Sequence, residues 1–267
     1  MALAACSGAR APRVPATAHR IVSLVPSLTA DLCAIGAGRQ IVGVSAYSAS
    51  IPCAKNVPRV GDAVGIDAER IVALKPDVVV GIAAQARLTQ SLREAGVPTR
   101  FFKDDTYLDI FRDIEELGAL SGHRESTRRL IARLRGRTRR IQASEHFRRR
   151  PRVFVVLQSE PIWTAGPGSY VSTLIRLAGG ENAVTALPAP WGQYSAEALL
   201  ELQPDAIVTV KAADLPAVLH REPWRSLRAV RRHRVFVVER PSILEQPGPE
   251  YNMGIAWLVA HLRPLAR

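Results

Sequence analysis

The chain has 267 residues, of which 47% are hydrophobic and 22% are charged, and its formal net charge is +12. This length is too great for one small domain and suits two lobes of about 100–130 residues each. No apolar run approaches the roughly 20 residues that a membrane-spanning helix needs. The composition is that of an ordinary globular protein with an excess of positive charge.

That positive charge is concentrated between Arg124 and Arg152, which makes nucleic acid a partner to consider. The only aromatic residue in this stretch is Phe147, so the stretch lacks the stacking groups of a single-strand-binding surface. It also lacks the signature of a zinc finger, an RNA-recognition motif or a basic zipper. We expect a solvated helix face and no nucleic-acid partner, with attraction to anionic lipid as the second interpretation.

Short apolar runs alternate with helical patterns in the first part of the chain. Strands are predicted at Ile21–Leu24, Ile41–Val44, Val78–Ile82 and Thr99–Phe102, and helices at Leu28–Gly36 and Leu88–Ala95. This alternation favours a mostly parallel sheet that is covered by helices.

Residues 106–150 follow a helical spacing instead, and Gly118 and Gly122 leave open whether they form one long helix or two in series. The alternation then resumes after Pro151. Strands are predicted at Arg152–Leu157, Ala206–Val210 and Val235–Val238, and helices at Val171–Ala178 and Ala196–Leu202. The sequence therefore predicts two α/β halves, at 20–105 and 151–267, that are joined by a long helical element.

One pattern occurs twice, as DAERIVALKPDVVV from residue 67 and as SAEALLELQPDAIV from residue 195. Each copy opens on a helix-capping residue, Asp67 or Ser195. Each then places a glutamate, Glu69 or Glu197, in the first helical turn, where the helix dipole favours a carboxylate. A Pro-Asp pair ends each helix before the next strand. One copy falls in each half, which supports the two-lobed division.

The three cysteines do not have the spacing of a metal cluster. Cys33 and Cys53 are typical of small core or loop residues, and a disulfide between them is possible outside the cytoplasm. Leu3-Ala4-Ala5-Cys6 resembles the lipidation site of bacterial lipoproteins, although the charged start and apolar core of a signal peptide do not precede it. We interpret residues 1–19 as a lipoprotein-like tether or signal remnant, with Cys6 as the lipidation site.

Catalytic and metal-binding patterns are missing from the sequence. It contains no GxSxG elbow, phosphate-binding glycine loop or HExxH motif. The acids Asp104-Asp105 and Glu115-Glu116 are adjacent in sequence, so their side chains point apart on a helix and make poor acid/base partners. The six histidines do not fall at the ends of the predicted strands, where a metal site would need converging ligands. We therefore expect no enzyme activity, no cofactor and no directly bound metal ion.

Several segments, taken in order, resemble the helical-backbone metal-chelate receptors, which are ABC-importer binding proteins for vitamin B12, haem and ferric siderophores. The resemblance covers roughly residues 20–264. Its segments are Ile21–Ser27, Ile41–Val44, Val60-Gly61-Asp62, Gly179–Ala183, Pro190–Ser195 and the two repeat copies. Within the family, the Pro-Trp-x-Gln-x-Ser segment is most similar to members that bind vitamin B12.

This resemblance implies two Rossmann-like lobes bridged by a long backbone helix at 106–150, with the ligand in the cleft between them. It also implies a role for the repeated glutamates, because in this family one glutamate on each lobe docks against arginines of the permease. Glu69 and Glu197 occupy the matching positions. Without the resemblance, both glutamates would be read as residues that complement helix dipoles.

The resemblance further implies a ligand site with aromatic walls. Tyr47, Trp163 and Trp191 match aromatic positions that line the cleft of the vitamin B12 receptors, and Ser27 matches a position of close backbone approach. Two further tryptophans of those receptors are replaced by Ala63 and Ile82, and a rim Asp and Arg by Ser242 and Gln246. Replacement polar contacts could come from Gln85, Glu160, Gln193, Glu245 and Tyr251.

The sequence therefore predicts a monomeric substrate-binding protein of an ABC importer that captures cobalamin or a related corrinoid. A ferric siderophore or haem is the alternative cargo within the same fold, and nucleic-acid binding through the arginine stretch is a distant alternative. The partners expected are the permease and a small metal chelate. The expected location is the periplasm or the outer face of the cytoplasmic membrane, with membrane contact through a possible lipid anchor.

Overall fold

The computed structural model describes residues 13–62, 65–143, 148–210 and 214–266. Its strands are β1 Ile21–Ser23, β2 Ile41–Val44, β3 Val78–Ile82, β4 Thr99–Phe102, β5 Arg152–Val156, β6 Gln158–Ser159, β7 Ile162–Ala165, β8 Glu181–Asn182, β9 Trp191–Gln193, β10 Ala206–Val210 and β11 Val235–Val238. Its α-helices are α1 Pro26–Ala34, α2 Ala68–Ala73, α3 Gln90–Glu94, α4 Tyr107–Leu120, α5 Arg124–Ala143, α6 Tyr170–Leu177, α7 Ala196–Leu202, α8 Leu215–Val218, α9 Arg228–Arg231 and α10 Tyr251–Leu262. The described chain divides into two compact units.

The first unit comprises the described residues up to Lys103 together with Asp113–Thr127. Its four strands are parallel in the order β2-β1-β3-β4. Val78, Val79 and Val80 of β3 are all fully buried. A run of consecutive apolar residues suits a parallel strand because both faces of such a sheet are covered. The predicted strands of this half are confirmed, although the first ends one residue earlier than predicted.

The second unit comprises Asp104–Arg112 and the described residues from Arg128 onward. Strands β11-β10-β5-β8 form a parallel sheet in that order. A second, antiparallel sheet has the order β6-β7-β9. The parallel strands confirm the predicted α/β class, whereas the antiparallel sheet was not predicted from the sequence.

The helical element is two helices in series, α4 and α5, which resolves the alternative that the sequence left open. Gly122 separates them in the left-handed conformation, with φ of +76°. Gly118 is needed for a different reason: a Cβ there would lie 2.0 Å from Thr127 Oγ1 of α5. A side chain at 118 would therefore prevent α5 from lying this close to α4. The division into units falls within both helices, between Arg112 and Asp113 in α4 and between Thr127 and Arg128 in α5.

Both copies of the repeated pattern form a short helix followed by a strand. The Asp67 carboxylate accepts a hydrogen bond from the Arg70 N–H at 2.9 Å, and the Ser195 hydroxyl accepts one from the Ala198 N–H at 3.1 Å. Both predicted caps are therefore present.

The Pro-Asp pair of each copy also has a structural role that the sequence did not reveal. Asp77 Oδ2 accepts a hydrogen bond from the Arg20 N–H at 2.9 Å, and Asp205 Oδ2 accepts one from the Arg152 N–H at 2.9 Å. In each unit this contact ties the start of one strand to the chain entering the neighbouring strand. The arginine side chains then donate to carbonyl groups at the end of the repeat helix, Arg20 to that of Leu74 and Arg152 to that of Leu202.

Cys33 of α1 and Cys53 form a disulfide with a Cα–Cα distance of 6.1 Å. The bridge closes a loop that contains the 3₁₀ turn Ala46–Ser50. Gly38 packs closely beside it, since a Cβ at this position would lie 3.0 Å from Cys53 Sγ. The disulfide that the sequence left possible is therefore present.

Candidate ligand-binding site

Trp163 and Trp191 lie on one face of the antiparallel sheet in the second unit. Trp163 of β7 is paired with Gln193 of β9, and Ala165 is paired with Trp191. Residues directly opposite each other on antiparallel strands project to the same face, so all four side chains share a face. The two tryptophans are diagonal neighbours, at a backbone separation of about 7–8 Å. Trp163 is 36% exposed and Trp191 is half-buried.

The chain that leads into Trp191 is held against the loop that follows β7. The Gly166 N–H donates to the Pro190 carbonyl at 2.8 Å. A Cβ on Gly166 would lie 2.7 Å from the Ala189 carbonyl oxygen, so this approach requires glycine. The loop conformation therefore sets where the indole of Trp191 lies.

Asp105 fixes the indole of Trp191 from the other side. Its Oδ1 accepts a hydrogen bond from Trp191 Nε1–H at 3.2 Å, and its backbone carbonyl accepts one from the Tyr170 N–H at 2.7 Å. The second bond satisfies a donor in the first turn of α6, where helix N–H groups lack intrahelical partners. The Tyr170 ring also lies edge-on to Trp191, with 5.2 Å between ring centroids.

The side chains around Trp191 and Tyr170 include several carboxylates. Burial, and then the charge of Asp105, raise the pKa of Asp104 to about 6. Burial also raises the pKa of Glu245. The pKa of Tyr170 is raised well above its ordinary value, first by burial and then by the charges of Glu245 and Asp104. Within the described ranges, no cationic side chain forms an ion pair with Asp104 or Glu245.

Sequence reasoning missed Asp104 and Asp105 because it considered them only as an acid/base pair. Their position could have identified them, since they lie two and three residues after the end of the strand Thr99–Phe102. Ligand sites in open parallel sheets lie outside the carboxyl ends of the strands.

The predicted rim positions Ser242 and Gln246 lie before α10 and are both partly exposed. The Ser242 hydroxyl donates to Glu250 Oε2 at 2.5 Å, and Arg240 Nη2 lies 3.6 Å from Glu250 Oε1. A positive and a negative side chain thus stand beside Ser242, although not at the two positions that the resemblance indicated. No sequence signal pointed to Arg240 and Glu250.

Two residues predicted for the site belong to the first unit. Ser27 lies in the first turn of α1 and is 6% exposed. Tyr47 lies in the 3₁₀ turn Ala46–Ser50 and is 61% exposed, and Ser45 caps this turn by accepting a hydrogen bond from the Tyr47 N–H. Tyr47 is therefore available for contact, whereas Ser27 offers little surface.

Two of the suggested replacement contacts are buried, and their polar atoms form hydrogen bonds within the protein. Gln85 donates to the Leu24 carbonyl at 3.2 Å and accepts from the Ile82 N–H at 3.3 Å. The Tyr251 hydroxyl lies 3.1 Å from Thr138 Oγ1, and Tyr251 is only 1% exposed. Of the others, Glu160 and Gln193 are exposed and Glu245 is half-buried.

Glu69 and Glu197 are both exposed, each in the first turn of its short helix. Neither side chain forms a hydrogen bond or an ion pair with any residue that the structure describes. The capping residue and the aspartate of each repeat copy have internal partners, whereas the glutamate has none among the described residues. Ala63 and Cys6, which were also singled out from the sequence, lie outside the described residues.

No cluster of three or more His, Cys, Asp or Glu side chains suited to a metal ion occurs in the described part of the chain. Among the helices of that part, none has the length and apolar character needed to cross a bilayer.

The profile of a family described as periplasmic binding protein matches residues 21–241, a range that includes every strand of both parallel sheets. The chain belongs to the periplasmic binding protein family. It is 29% identical over 254 residues to an uncharacterized ABC transporter substrate-binding lipoprotein of Bacillus subtilis, and the match covers 92% of this chain and 80% of the relative.

Two solved structures are similar over nearly the whole chain. The periplasmic vitamin B12-binding protein of Vibrio cholerae has a TM-score of 0.78 and 28% identity, with 94% of this chain and 98% of that chain covered. A periplasmic heme-binding protein from Pseudomonas aeruginosa has a TM-score of 0.80 and 27% identity, with 94% of each chain covered. These similarities confirm the predicted family and fold class.

This family member is a substrate-binding protein of an ABC transporter, as the sequence predicted, and its protein partner is the transporter's permease and ATPase complex. Its family places it outside the cytoplasm. The family's members are substrate-binding proteins of transporters.

Proposed function

We propose that this binding protein captures cobalamin or a related corrinoid through the Trp163–Trp191 face and delivers it to the permease. The observation that carries the proposal is the combination of two tryptophans on one sheet face with uncompensated carboxylates beside them. A corrinoid is broad and largely apolar across its ring, which aromatic side chains contact well. Its periphery carries amide groups, which donate hydrogen bonds.

Local charge favours this cargo over haem. Carboxylates such as Asp104 and Glu245 accept hydrogen bonds from amide N–H groups. They repel the propionate groups of haem and the anionic groups of many ferric siderophores, and this repulsion is stronger for half-buried charges than for solvated ones. Haem remains the second candidate because a heme-binding protein is as similar in fold to this chain as a vitamin B12-binding protein is.

Titration of the purified protein with hydroxocobalamin, cobinamide, haemin and a ferric siderophore tests the cargo. Tryptophan quenching and visible absorbance report binding, and we expect 1:1 stoichiometry with a corrinoid preferred over haemin. Trp191→Ala should weaken corrinoid binding about tenfold or more, because an aromatic anchor contributes at least about 1.4 kcal/mol. Tyr47→Ala tests the contact predicted for the first unit.

Trp257→Ala is the matched control, since Trp257 is half-buried in α10 and stacks on His261 at a centroid distance of 4.0 Å. It should leave corrinoid affinity unchanged. Tighter binding of haemin than of any corrinoid would replace the proposed cargo with haem. Absence of binding across all four ligands would exclude a metal chelate of these classes.

We also propose that Glu69 and Glu197 dock against arginines of the permease. Neither side chain has a partner in the described chain, so their carboxylates are available for charge-assisted hydrogen bonds. One carboxylate on each unit gives the permease a two-point contact, which provides orientation as well as attraction.

Reversal of both charges, Glu69→Arg with Glu197→Arg, should abolish stimulation of the transporter's ATPase while corrinoid affinity stays unchanged. The control pair is Glu94→Arg with Glu201→Arg, which makes the same charge change at exposed helical positions of the two units. Undiminished stimulation by the first pair would leave the glutamates with helix-dipole stabilisation only.

The Cys33–Cys53 disulfide supports a working location in an oxidising compartment, such as the periplasm or the outer face of the cytoplasmic membrane. We propose lipidation at Cys6 as the means of attachment to that membrane. Mass spectrometry of the protein purified from membranes would detect the acyl groups, and an unmodified Cys6 would contradict the anchor.

A further inference from the structure

Helix α5 contains arginine at eight of its 20 positions and only one acidic residue, Glu125. The helix is amphipathic: Leu130, Ile131, Leu134 and Thr138 are buried at helical spacing. The arginines stand on the other faces and are exposed. The helix therefore presents a concentrated positive charge to the solvent.

Much of this charge is uncompensated. Across the described ranges, no carboxylate forms an ion pair with Arg133, Arg137 or Arg140. Their spacing of four and then three residues places them along one stripe of the helix, about 10 Å long. Arg135, by contrast, has an internal contact, since its guanidinium lies 4.8 Å from the ring centroid of Phe111.

The stripe borders a groove within the second unit. The groove has a volume of about 350 Å³ and lies beside α10, which contributes Asn252. Leu130, Leu134 and the three arginines of the stripe line it. Guanidinium groups bind phosphate oxygens in a planar, two-pronged geometry. The groove can therefore admit a phosphate group at the level of the arginines.

We propose that this α5 surface, centred on Arg133, Arg137 and Arg140, binds the anionic phospholipid headgroups of a bilayer. α5 contains no aromatic residue that would stack on nucleic-acid bases or enter the acyl region. The contact is therefore electrostatic and remains at headgroup level, where basic residues are attracted by the negative surface potential. This proposal is independent of the cargo.

Flotation of the full chain with lipid vesicles tests the surface, in a Cys6→Ala background so that no acyl chain contributes. We expect binding to vesicles of phosphatidylcholine mixed with phosphatidylglycerol, no binding to pure phosphatidylcholine, and loss of binding at high salt. Replacing Arg133, Arg137 and Arg140 together with glutamine should lower vesicle partitioning on the order of 100-fold, or about fivefold per residue.

The matched control replaces Arg221, Arg231 and Arg232 with glutamine, three exposed arginines of the same unit that lie outside α5. It removes the same net charge and should leave vesicle binding nearly unchanged. Equal loss in both triple variants would overturn the proposal, since net charge alone would then account for binding. It would also be overturned by binding to pure phosphatidylcholine, or by a duplex DNA complex that persists at physiological salt without any vesicle binding.

Discussion

Replacing Asp104 with asparagine should stabilise the protein at neutral pH, because it removes a carboxylate whose burial opposes ionisation. The pKa of Asp104 is about 6 in the folded chain against an ordinary value of 3.8. Each unit of difference corresponds to about 1.4 kcal/mol in the free energy of unfolding, so the whole shift amounts to roughly 3 kcal/mol. Because Asp104 retains some solvent contact, we expect the asparagine variant to gain about 2–3 kcal/mol at pH 7.

The stability that the asparagine variant gains over the parent should increase as pH rises. Between about pH 4 and pH 6 the folded chain keeps the Asp104 proton that the unfolded chain has lost, so its stability falls as pH rises. The asparagine variant has no proton to lose at this position, so it lacks this fall in stability. The difference in stability between the variant and the parent should therefore be near zero below about pH 4, grow through the window and level off above about pH 6.

Urea unfolding followed by tryptophan fluorescence across this pH range measures the difference directly. Other groups with raised pKa values, such as Glu245, titrate in both proteins and cancel. Glu201→Gln, at an exposed position of α7, is the control and should show no such rise. A difference that stays constant with pH would refute the buried-charge argument. Weaker corrinoid binding by the stabilised variant would mean that this carboxylate is retained for function at a cost in stability.

Two further predictions concern the stability of the folded chain. Gly118→Ala should destabilise the first unit by about 1–3 kcal/mol, because its Cβ would lie 2.0 Å from Thr127 Oγ1. The loss should be smaller in a Thr127→Ala background, and a thermal-melt double-mutant cycle without such coupling would contradict the contact. Removing the disulfide by Cys33→Ser with Cys53→Ser should cost about 3 kcal/mol, given a loop closed across 20 residues of sequence. An unchanged urea midpoint relative to the oxidised parent would show that the bridge adds no stability.

The parallel strands could be predicted from the sequence because runs of consecutive apolar residues indicate burial on both faces of a strand. Val78–Val80 and Ala206–Val208 are apolar at consecutive positions, as expected for a strand that is covered on both faces. The antiparallel sheet lacks such a signal. Its strands are two to four residues long, and β7 pairs with β9 across more than twenty intervening residues. Alternation over two or three residues cannot be distinguished from chance.

The candidate site was only partly predictable for a related reason. Trp191 was identified because it matches an aromatic position of the vitamin B12 receptors, and it was preferred because it lies between proline and glycine in a loop. Its contacts with Asp105 and Tyr170 join residues that are far apart in sequence. The raised pKa of Asp104 depends on burial, which is a property of the folded chain. Adjacent acids in a sequence do not reveal which of them is desolvated.

Net charge is a poor guide to the cargo of this protein. The chain carries +12 overall, which by itself would favour an anionic ligand such as haem. However, exposed charges are screened over about 8 Å at physiological ionic strength, so solvated arginines act mainly on their immediate surroundings. Beside Trp191 the nearby charges are the half-buried carboxylates of Asp104 and Asp105, and these are screened far less. The local charge beside Trp191 is therefore negative in a positive protein, and for this reason we propose a neutral or cationic ligand rich in hydrogen-bond donors.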